Sequence, residues 1–549
     1  MPISTVSFLH GIYTNELPTP IVPMTNVTEP VVALGTAPLH LATNPASPNT
    51  PILCSSLSEF VDQFGWSNDF DKFTLCEVAK CHFTVYNVAP VVFINVLDPV
   101  KHATTGTQEI ANATNPVTIE GNVINASIKI TSGSPATTRT ITVTDEDEPI
   151  SIPVTGDFVL TAGDETLTLT TDYTVSENKI TLTAAGKLKV DGSLTFTADD
   201  ETLVTLDTDD YAAEYDDGDT VITFTTSGLN KIVDDEIFIA YRELDPSAVT
   251  SQNVIGGVDL MTGANTGLEV LEDVYPKLGV VPGSVIAPKF STDSAVAQVM
   301  ASKCNGINGC FKAIAIADLP TSTVRKYTDV TAVKTGNNFV DQRLIACWPK
   351  VTLGGEQYHL STQLAALMCT VDAERDNIPF KSPSNETLKV DGACLSDGTA
   401  IYLGRDLANY INGQGIFTAL NFGGWRSWGV YTSAYPNDTD PINFVSVKRM
   451  MNWISNNLIL NFFNQIDNPM NRVLVDTVLD SVRIWLNGLA ARGAILGGEI
   501  AFLEEDNPTS ELTQGHMLFR MNVGFAVPAK KIEFTIQFDS SYMSTLFGS

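Results

Sequence analysis

Positive charge is scarce in this chain: 32 Lys and Arg stand against 63 Asp and Glu, a formal net charge of −31 over 549 residues. Binding phosphates requires clustered cations, so a nucleic-acid partner is not expected. Long apolar runs are missing as well, and nothing approaches the roughly 18–20 residues of a membrane span. The opening Met1-Pro2-Ile3-Ser4-Thr5 lacks the basic and apolar stretches of a secretory signal. A soluble protein made in a cytoplasm, with no membrane partner, is the expectation.

Catalytic signatures are equally thin. Six histidines are scattered without a paired motif. His359 lies near Ser361, but no G-x-S-x-G elbow accompanies them, and a core or interface histidine is the better reading. Gly256-Gly257 has neither G-x-G-x-x-G spacing nor the Lys-Ser/Thr of a phosphate loop, which leaves turn formation. Among 63 acidic residues, chance carboxylate pairs say nothing about glycoside hydrolysis. The chain reads as a non-enzyme without cofactors.

Eight cysteines in a chain this long are not a disulfide scaffold. Cys76-x4-Cys81-His82 has no second ligand pair at zinc spacing, so buried or loosely packed thiols are expected there. Cys304 and Cys310 bracket two glycines that could bring them together. They are free loop thiols, or a pair that oxidises once the protein leaves a reducing cell.

What is present is core-forming material, 44% hydrophobic, in a length that calls for two or three domains. Residues 1–25 space Ile3, Val6, Phe8 and Ile12 between four prolines, a pattern that forbids helix and favours an extended arm. Two continuous apolar runs, Val31-Val32-Ala33-Leu34 and Val91-Val92-Phe93-Ile94, read as strands covered on both faces. A helix near 58–64, with Ser58 as its cap, lies between them and suggests an α/β unit.

At about residue 100 the composition turns Thr-, Asp- and Val-rich, and short alternating strands replace helical patterns to about 243. Gly163-Asp164-Glu165-Thr166-Leu167, Asp172-Tyr173 and Ile180-Thr181-Leu182 recur as Asp200-Glu201-Thr202-Leu203, Asp210-Tyr211 and Val221-Ile222-Thr223-Phe224. A spacing of about 36–38 residues suits duplicated hairpins in a β-sandwich. Asp145-Glu146-Asp147-Glu148 and Asp216-Asp217-Gly218-Asp219 lack calcium-loop spacing and read as solvated acidic faces.

Beyond Pro246 helix and strand alternate again. Val285-Ile286-Ala287, a helix over 292–300 and Ala313-Ile314-Ala315-Ile316 predict a parallel strand pair with a crossover helix. Two long helices follow, one near 444–466 and one opening at Asn468-Pro469 and ending at Gly493. Val475, Val478, Leu479, Val482, Trp485, Leu486 and Leu489 form an apolar stripe on the second. Ile532, Phe534, Ile536 and Phe538 then alternate as a closing strand that has no partner in the sequence pattern.

Asp372-Ala373-Glu374-Arg375-Asp376-Asn377, continued by Ser382-Pro383-Ser384-Asn385, resembles the D-x-x-R-G-x-x-x-S-P-S-N segment of contractile-tail sheath proteins. It follows a small-residue helix containing Leu364-Ala365-Ala366-Leu367. Asn377 stands where that family has Gly, so a left-handed backbone is expected there. Further pieces come in family order: Gly256-Gly257-Val258-Asp259, Trp428-Gly429-Val430-Tyr431-Thr432, Lys448-Arg449, and Asn487-Gly488-Leu489-Ala490-Ala491-Arg492-Gly493. Tyr431 replaces the usual Arg, which removes whatever ion pair that Arg makes.

The resemblance implies an α/β (mixed α+β) sheath core with long C-terminal helices, an inserted all-β, sandwich-like domain and extended terminal arms. The corresponding division is an arm at 1–25, core at 26–99, the β-rich insert at 100–243 and α/β core at 244–385. A C-terminal part with the two helices at 386–529 and a strand or arm at 530–549 complete it. It also implies a virion tail-sheath subunit, assembled in the host cytoplasm, that stacks as hexameric rings around a tail tube protein. Such a sheath contracts to drive the tube through the host envelope and meets baseplate and tail terminator proteins. Arms carrying Ile3, Val6, Phe8, Ile12, Ile532, Phe534, Ile536 and Phe538 would join neighbours. Asn471, Arg472, Asp476, Asp480 and Arg483 would face the tube. The alternative raised by the Thr/Asp-rich insert, a β-rich surface adhesin or carbohydrate-binding protein, predicts a secretion signal and no helix-rich C-terminal half, and fits neither feature.

Overall fold

The computed structural model describes residues 28–547 and Met24, except 112–113, 133–137, 143–149, 152–157, 164, 177–178, 191–192, 199–203, 217 and 233–235. Ile3, Val6, Phe8 and Ile12 therefore lie outside the described residues, as does Asp145-Glu146-Asp147-Glu148.

Short, fully apolar segments build the central sheet. Strands β1 (Val31–Gly35), β2 (Pro51–Cys54), β3 (Val91–Asn95), β4 (Ser284–Ile286), β5 (Ile314–Asp318), β6 (Leu344–Cys347), β7 (Ile416–Asn421) and β8 (Trp425–Trp428) lie in the order β2-β3-β1-β4-β5-β6-β7-β8. The six inner strands are parallel, with Val31 opposite both Val91 and Ser284, and Ile316 opposite Ile345. Both edge strands run antiparallel. Inner strands with no solvent face explain the continuous Val, Ile and Ala runs, since a parallel sheet is covered on both sides. As expected, β4 and β5 pair in parallel. The helix between them, α2 (Ser294–Lys303), starts two residues late because Asp293 accepts the Ala295 N–H as its cap.

Caps also correct two other helix starts. Helix α1 (Leu57–Phe64) is capped by Ser56, not Ser58, and Glu59 reaches back to the Ser55 N–H at 2.7 Å. The second long helix begins at Arg472 because Asn471 accepts the Leu474 N–H at 2.9 Å; Asn468-Pro469 belongs to the preceding loop.

Between β3 and β4 the described residues make strands from Ala103 to Leu244 in four small sheets. Two separate apolar clusters hold them. One gathers Ile130, Ile237 and Ile239 against Val117, Ile119 and Ile222; the other, intervening in sequence, gathers Leu160 and Leu194 against Tyr173 and Ile180. Each cluster lies between a four-stranded and a three-stranded sheet. The internal repeat is built around a buried aspartate in each. Asp172 accepts the Thr168 N–H (2.8 Å) and Lys189 (3.2 Å); Asp210 accepts the Asp207 N–H (2.8 Å) and Lys231 (2.6 Å). Backbone and lysine hydrogen bonds hold the Asp172 carboxyl below its ordinary range, and Lys231 first of all does the same for Asp210. Both aspartates also receive a Thr N–H on the main-chain carbonyl, from Thr183 and Thr225. Those threonines open a T-x-x-G-x-x-K turn that recurs in both copies.

Helices α4 (Val445–Phe462) and α5 (Arg472–Ala491) pack through Met450, Trp453 and Ile454 on one and Val475, Leu479, Val482 and Leu486 on the other. Trp453 and Trp485 stack 5.6 Å apart at 24°. Strands β9 (Ile495–Ala501) and β10 (Arg520–Phe525) pair beside them as a two-stranded sheet. The closing strand expected at 531–536 does not form. Among the described residues no backbone–backbone hydrogen bond is made between Val527 and Asp539, and residues 540–547 form 3-10 turns. Ile532, Phe534, Ile536 and Phe538 are 72–93% exposed. A ladder needs a partner strand, and the described residues offer them none. Among the described residues no helix is long and apolar enough to cross a membrane.

Candidate functional site

The segment 372–385 leaves the end of helix α3 (Leu360–Ala373), whose start is fixed by two carboxylates deep in the protein. Glu77 accepts the His359 N–H (2.6 Å) and lies 2.8 Å from His359 Nδ1. Asp318, at the end of β5, accepts the Ser361 N–H (3.0 Å) and the Ser361 hydroxyl. Burial pushes the Asp318 carboxyl upward. Negative groups at a helix N-terminus satisfy its unpaired N–H groups and its dipole. His359 is thus a core residue, and the Ser361 hydroxyl is committed to Asp318 inside the protein. That geometry positions a helix and presents no nucleophile.

At the other end of α3, Asp372 forms a two-pronged ion pair with Arg449 of α4, largely buried on both sides. The backbone then turns sharply: Asp376 and Asn377 have φ of 55° and 58°, and the Asn377 N–H returns to the Asp372 carbonyl at 2.9 Å. The left-handed conformation expected of Asn377 is present, and Asp376 shares it. Asp376 pairs with Arg492, just past the end of α5, at 2.6 Å. Ser384 accepts the Gly429 N–H (3.2 Å), and Asn385 exchanges hydrogen bonds with β8 through the Ser427 carbonyl (2.6 Å) and Arg426 (2.9 Å). Four motif pieces far apart in sequence, 372–385, 428–432, 448–449 and 487–493, therefore meet at one junction between the central sheet and the helix pair.

Two residues without a sequence signal complete it. Half-buried Glu29, just before β1, accepts from Asn456 of α4 at 2.7 Å beside the Asp372–Arg449 pair. Desolvation pushes its carboxyl up to about 8, against the pull of Asn456 and Arg449. With His82, Cys369 and Trp453 it lines a cavity of about 40 Å³. Lys530 is the other. Tyr431 lies flat on Tyr435 (3.8 Å, 4°) and on Phe444 (5.0 Å, 22°), and the Lys530 ammonium donates to the Tyr431 hydroxyl. It sits 5.0 Å and 5.4 Å from the Tyr431 and Phe444 ring centres. The C-terminal segment thus brings a cation to Tyr431, the position where the resemblance led one to expect an Arg. A cleft of about 710 Å³ separates residues 375–386 from residues 526–532.

The expected tube-facing residues share the exposed face of α5. Arg472 pairs with Asp476 (3.0 Å) and Arg483 with Asp480 (3.5 Å), with side chains 45–81% accessible. Such pairs contribute about 0.3–0.5 kcal/mol each. Cys304 and Cys310 are both free thiols; Cys304 is buried in the core and Cys310 faces solvent. Cys76, Cys81 and His82 are all buried, with His82 Nδ1 3.0 Å from the Val78 carbonyl and its imidazole pushed down to about 4 by burial.

No family model matches the chain. It is 26% identical to the tail sheath protein of Burkholderia phage BcepMu in an alignment of 556 positions, covering 99% of both chains. The major tail sheath protein of Serratia phage KSP20 is 24% identical over 314 residues, 56% of this chain and 75% of that protein. In fold the chain is similar to the PVC sheath complex of an extracellular contractile injection system in its contracted state, with a TM-score of 0.52. Identity there is 13%, over 98% of this chain and all of that one. The contracted helical sheath of the anti-feeding prophage gives 0.50 and 12%, over 97% of this chain and 100% of that one. The chain is thus similar over its full length to a curated tail sheath protein, and its fold is similar to that of contractile injection system sheaths.

Proposed function

We propose that this chain is the repeating subunit of a contractile tail sheath. It stacks as hexameric rings around a tail tube, is capped by baseplate and terminator proteins, and shortens and widens to drive the tube through a host envelope. The lattice itself stores the energy, and no nucleotide or cofactor takes part. The terminal segments join neighbours by adding strands to a neighbour's sheet, Ile3, Val6, Phe8 and Ile12 at one end and Ile532 to Phe538 at the other. Backbone hydrogen bonds give such contacts strength while the flanking chain lets rigid bodies reorient. The acidic β-rich insert faces outward, where its charge keeps assembled particles dispersed.

One observation carries this reading: a full-length sheath relative is matched by a chain whose alternating C-terminal segment is 72–93% exposed at its four apolar positions and unpaired. An exposed apolar segment of that kind is a liability on a lone monomer and an adhesive in a polymer. Negative-stain microscopy of the purified chain tests the reading. Tubes or six-fold rings are expected; monodisperse monomers at every concentration would overturn it.

A further inference from the structure

Lys530 stands at a singular place in the C-terminal segment. Strand β10 ends at Phe525, and from Val527 to Asp539 the described chain makes no backbone–backbone hydrogen bond to hold its course. Among the described residues Lys531 pairs with Glu533 of the same segment. Among the described residues, Lys530 alone of these charged side chains reaches the body of the subunit, where its ammonium meets the Tyr431 hydroxyl at the edge of that ring and lies 5.4 Å from the Phe444 ring centre.

The surface it meets is firmly held. Tyr431 is 8% exposed and bridges to Phe444 in antiparallel fashion. The Thr432 N–H donates to the Asn443 carbonyl (2.8 Å) and the Val445 N–H to the Val430 carbonyl (3.0 Å). Tyr435 backs the stack from its other side. No carboxylate pairs with Lys530 among the described residues, so the attraction is the hydrogen bond to the Tyr431 hydroxyl plus that of a cation for the Phe444 ring. Unlike an exposed ion pair, such a contact is little weakened by salt.

We infer that Lys530 is a positioning residue, a footing on the Tyr431–Phe444 shelf that fixes where the C-terminal arm leaves its own subunit. The inference rests on the reading above, in which that arm engages a neighbour. With the footing in place, Phe538 lies eight positions beyond the fixed point; without it, Phe538 lies thirteen positions beyond Phe525. A longer tether dilutes the arm at its target by about the three-halves power of length, roughly twofold for each contact.

The test uses the full chain. Lys530→Met keeps the aliphatic stem and removes the cation; Lys530→Arg keeps the cation. The concentration at which sedimentable assemblies appear should rise about two- to fivefold for Lys530→Met at low and high salt alike, and stay near the parent value for Lys530→Arg. Monomer melting should be unchanged in both. Parent-like assembly of Lys530→Met, or an equal defect in Lys530→Arg, would overturn the footing. The arm reading fails separately, if a chain lacking 531–549 assembles as the parent does. A monomer measurement needs no assembly: in limited acetylation followed by mass spectrometry, Lys530 should react several-fold more slowly than Lys531, and Tyr431→Leu should abolish the difference. Equal rates in the parent would contradict the footing whatever the protein assembles into.

Discussion

Two carboxylates, Glu29 and Asp372, lie in the field of a single guanidinium, that of Arg449. Asp372 takes both of its prongs, which leaves Glu29 with an amide hydrogen bond and a desolvation cost. A carboxyl raised from 4.5 to about 8 makes folding weaker as pH rises. Below 4.5 both folded and unfolded chains hold the proton; between 4.5 and about 8 only the folded chain does; above that the penalty is complete. The slope is at most about 1.4 kcal/mol per pH unit, less for the solvent that reaches a half-buried group. Glu29→Gln keeps an acceptor for Asn456 and removes the charge. Its melting temperature should match the parent near pH 4.5 and exceed it increasingly towards pH 8. Parallel melting curves across that range would refute the assignment. Sequence reading reached some of these residues. The backbone at Asn377 was legible because few side chains tolerate φ near 58°. Glu29 was not, because its partner Asn456 is 427 positions away and neither sits in a periodic pattern.

Elements were legible wherever one local pattern decides them. The runs at 31–35, 91–95 and 314–318 became inner strands, and the stripe from Val475 to Leu489 became the buried face of α5. Errors fell at ends, where one hydrogen bond chooses between neighbours: Ser56 over Ser58, Asn471 over Asn468. The duplication between residues 163 and 224 was visible as D-Y and alternating apolar residues, but its T-x-x-G-x-x-K turn was not. The two copies place that turn at different distances from their aspartates. The glycine in it has a steric reason. A Cβ on Gly186 would stand 1.9 Å from the Asp172 carbonyl oxygen, and one on Gly228 2.1 Å from that of Asp210. Gly186→Ala and Gly228→Ala should each lower the stability of the β-rich region by about 1–3 kcal/mol. Gly306→Ala, which meets nothing within 4 Å, is the control. Thermal melts of the full chain followed by the β-sheet circular-dichroism signal measure this. Unchanged melting of both variants would mean that the two turns do not hold their sheets.

At the scale of the whole molecule, the order of motifs along the chain pointed to a sheath before any geometry did. The junction explains why: segments 372–385, 428–432, 448–449 and 487–493 are tied to one another by Asp372–Arg449, Asp376–Arg492 and Ser384–Gly429. What the sequence pattern alone leaves open is how the ends behave, because a strand is defined by its partner and the partner here is proposed to be another copy. Deleting residues 1–20 and 535–549 together, and imaging the purified product beside the full chain, tests that directly. The full chain should form tubes or rings, and the shortened chain should stay a folded, soluble monomer with the same circular-dichroism spectrum. Tubes from a chain lacking both ends would contradict the account.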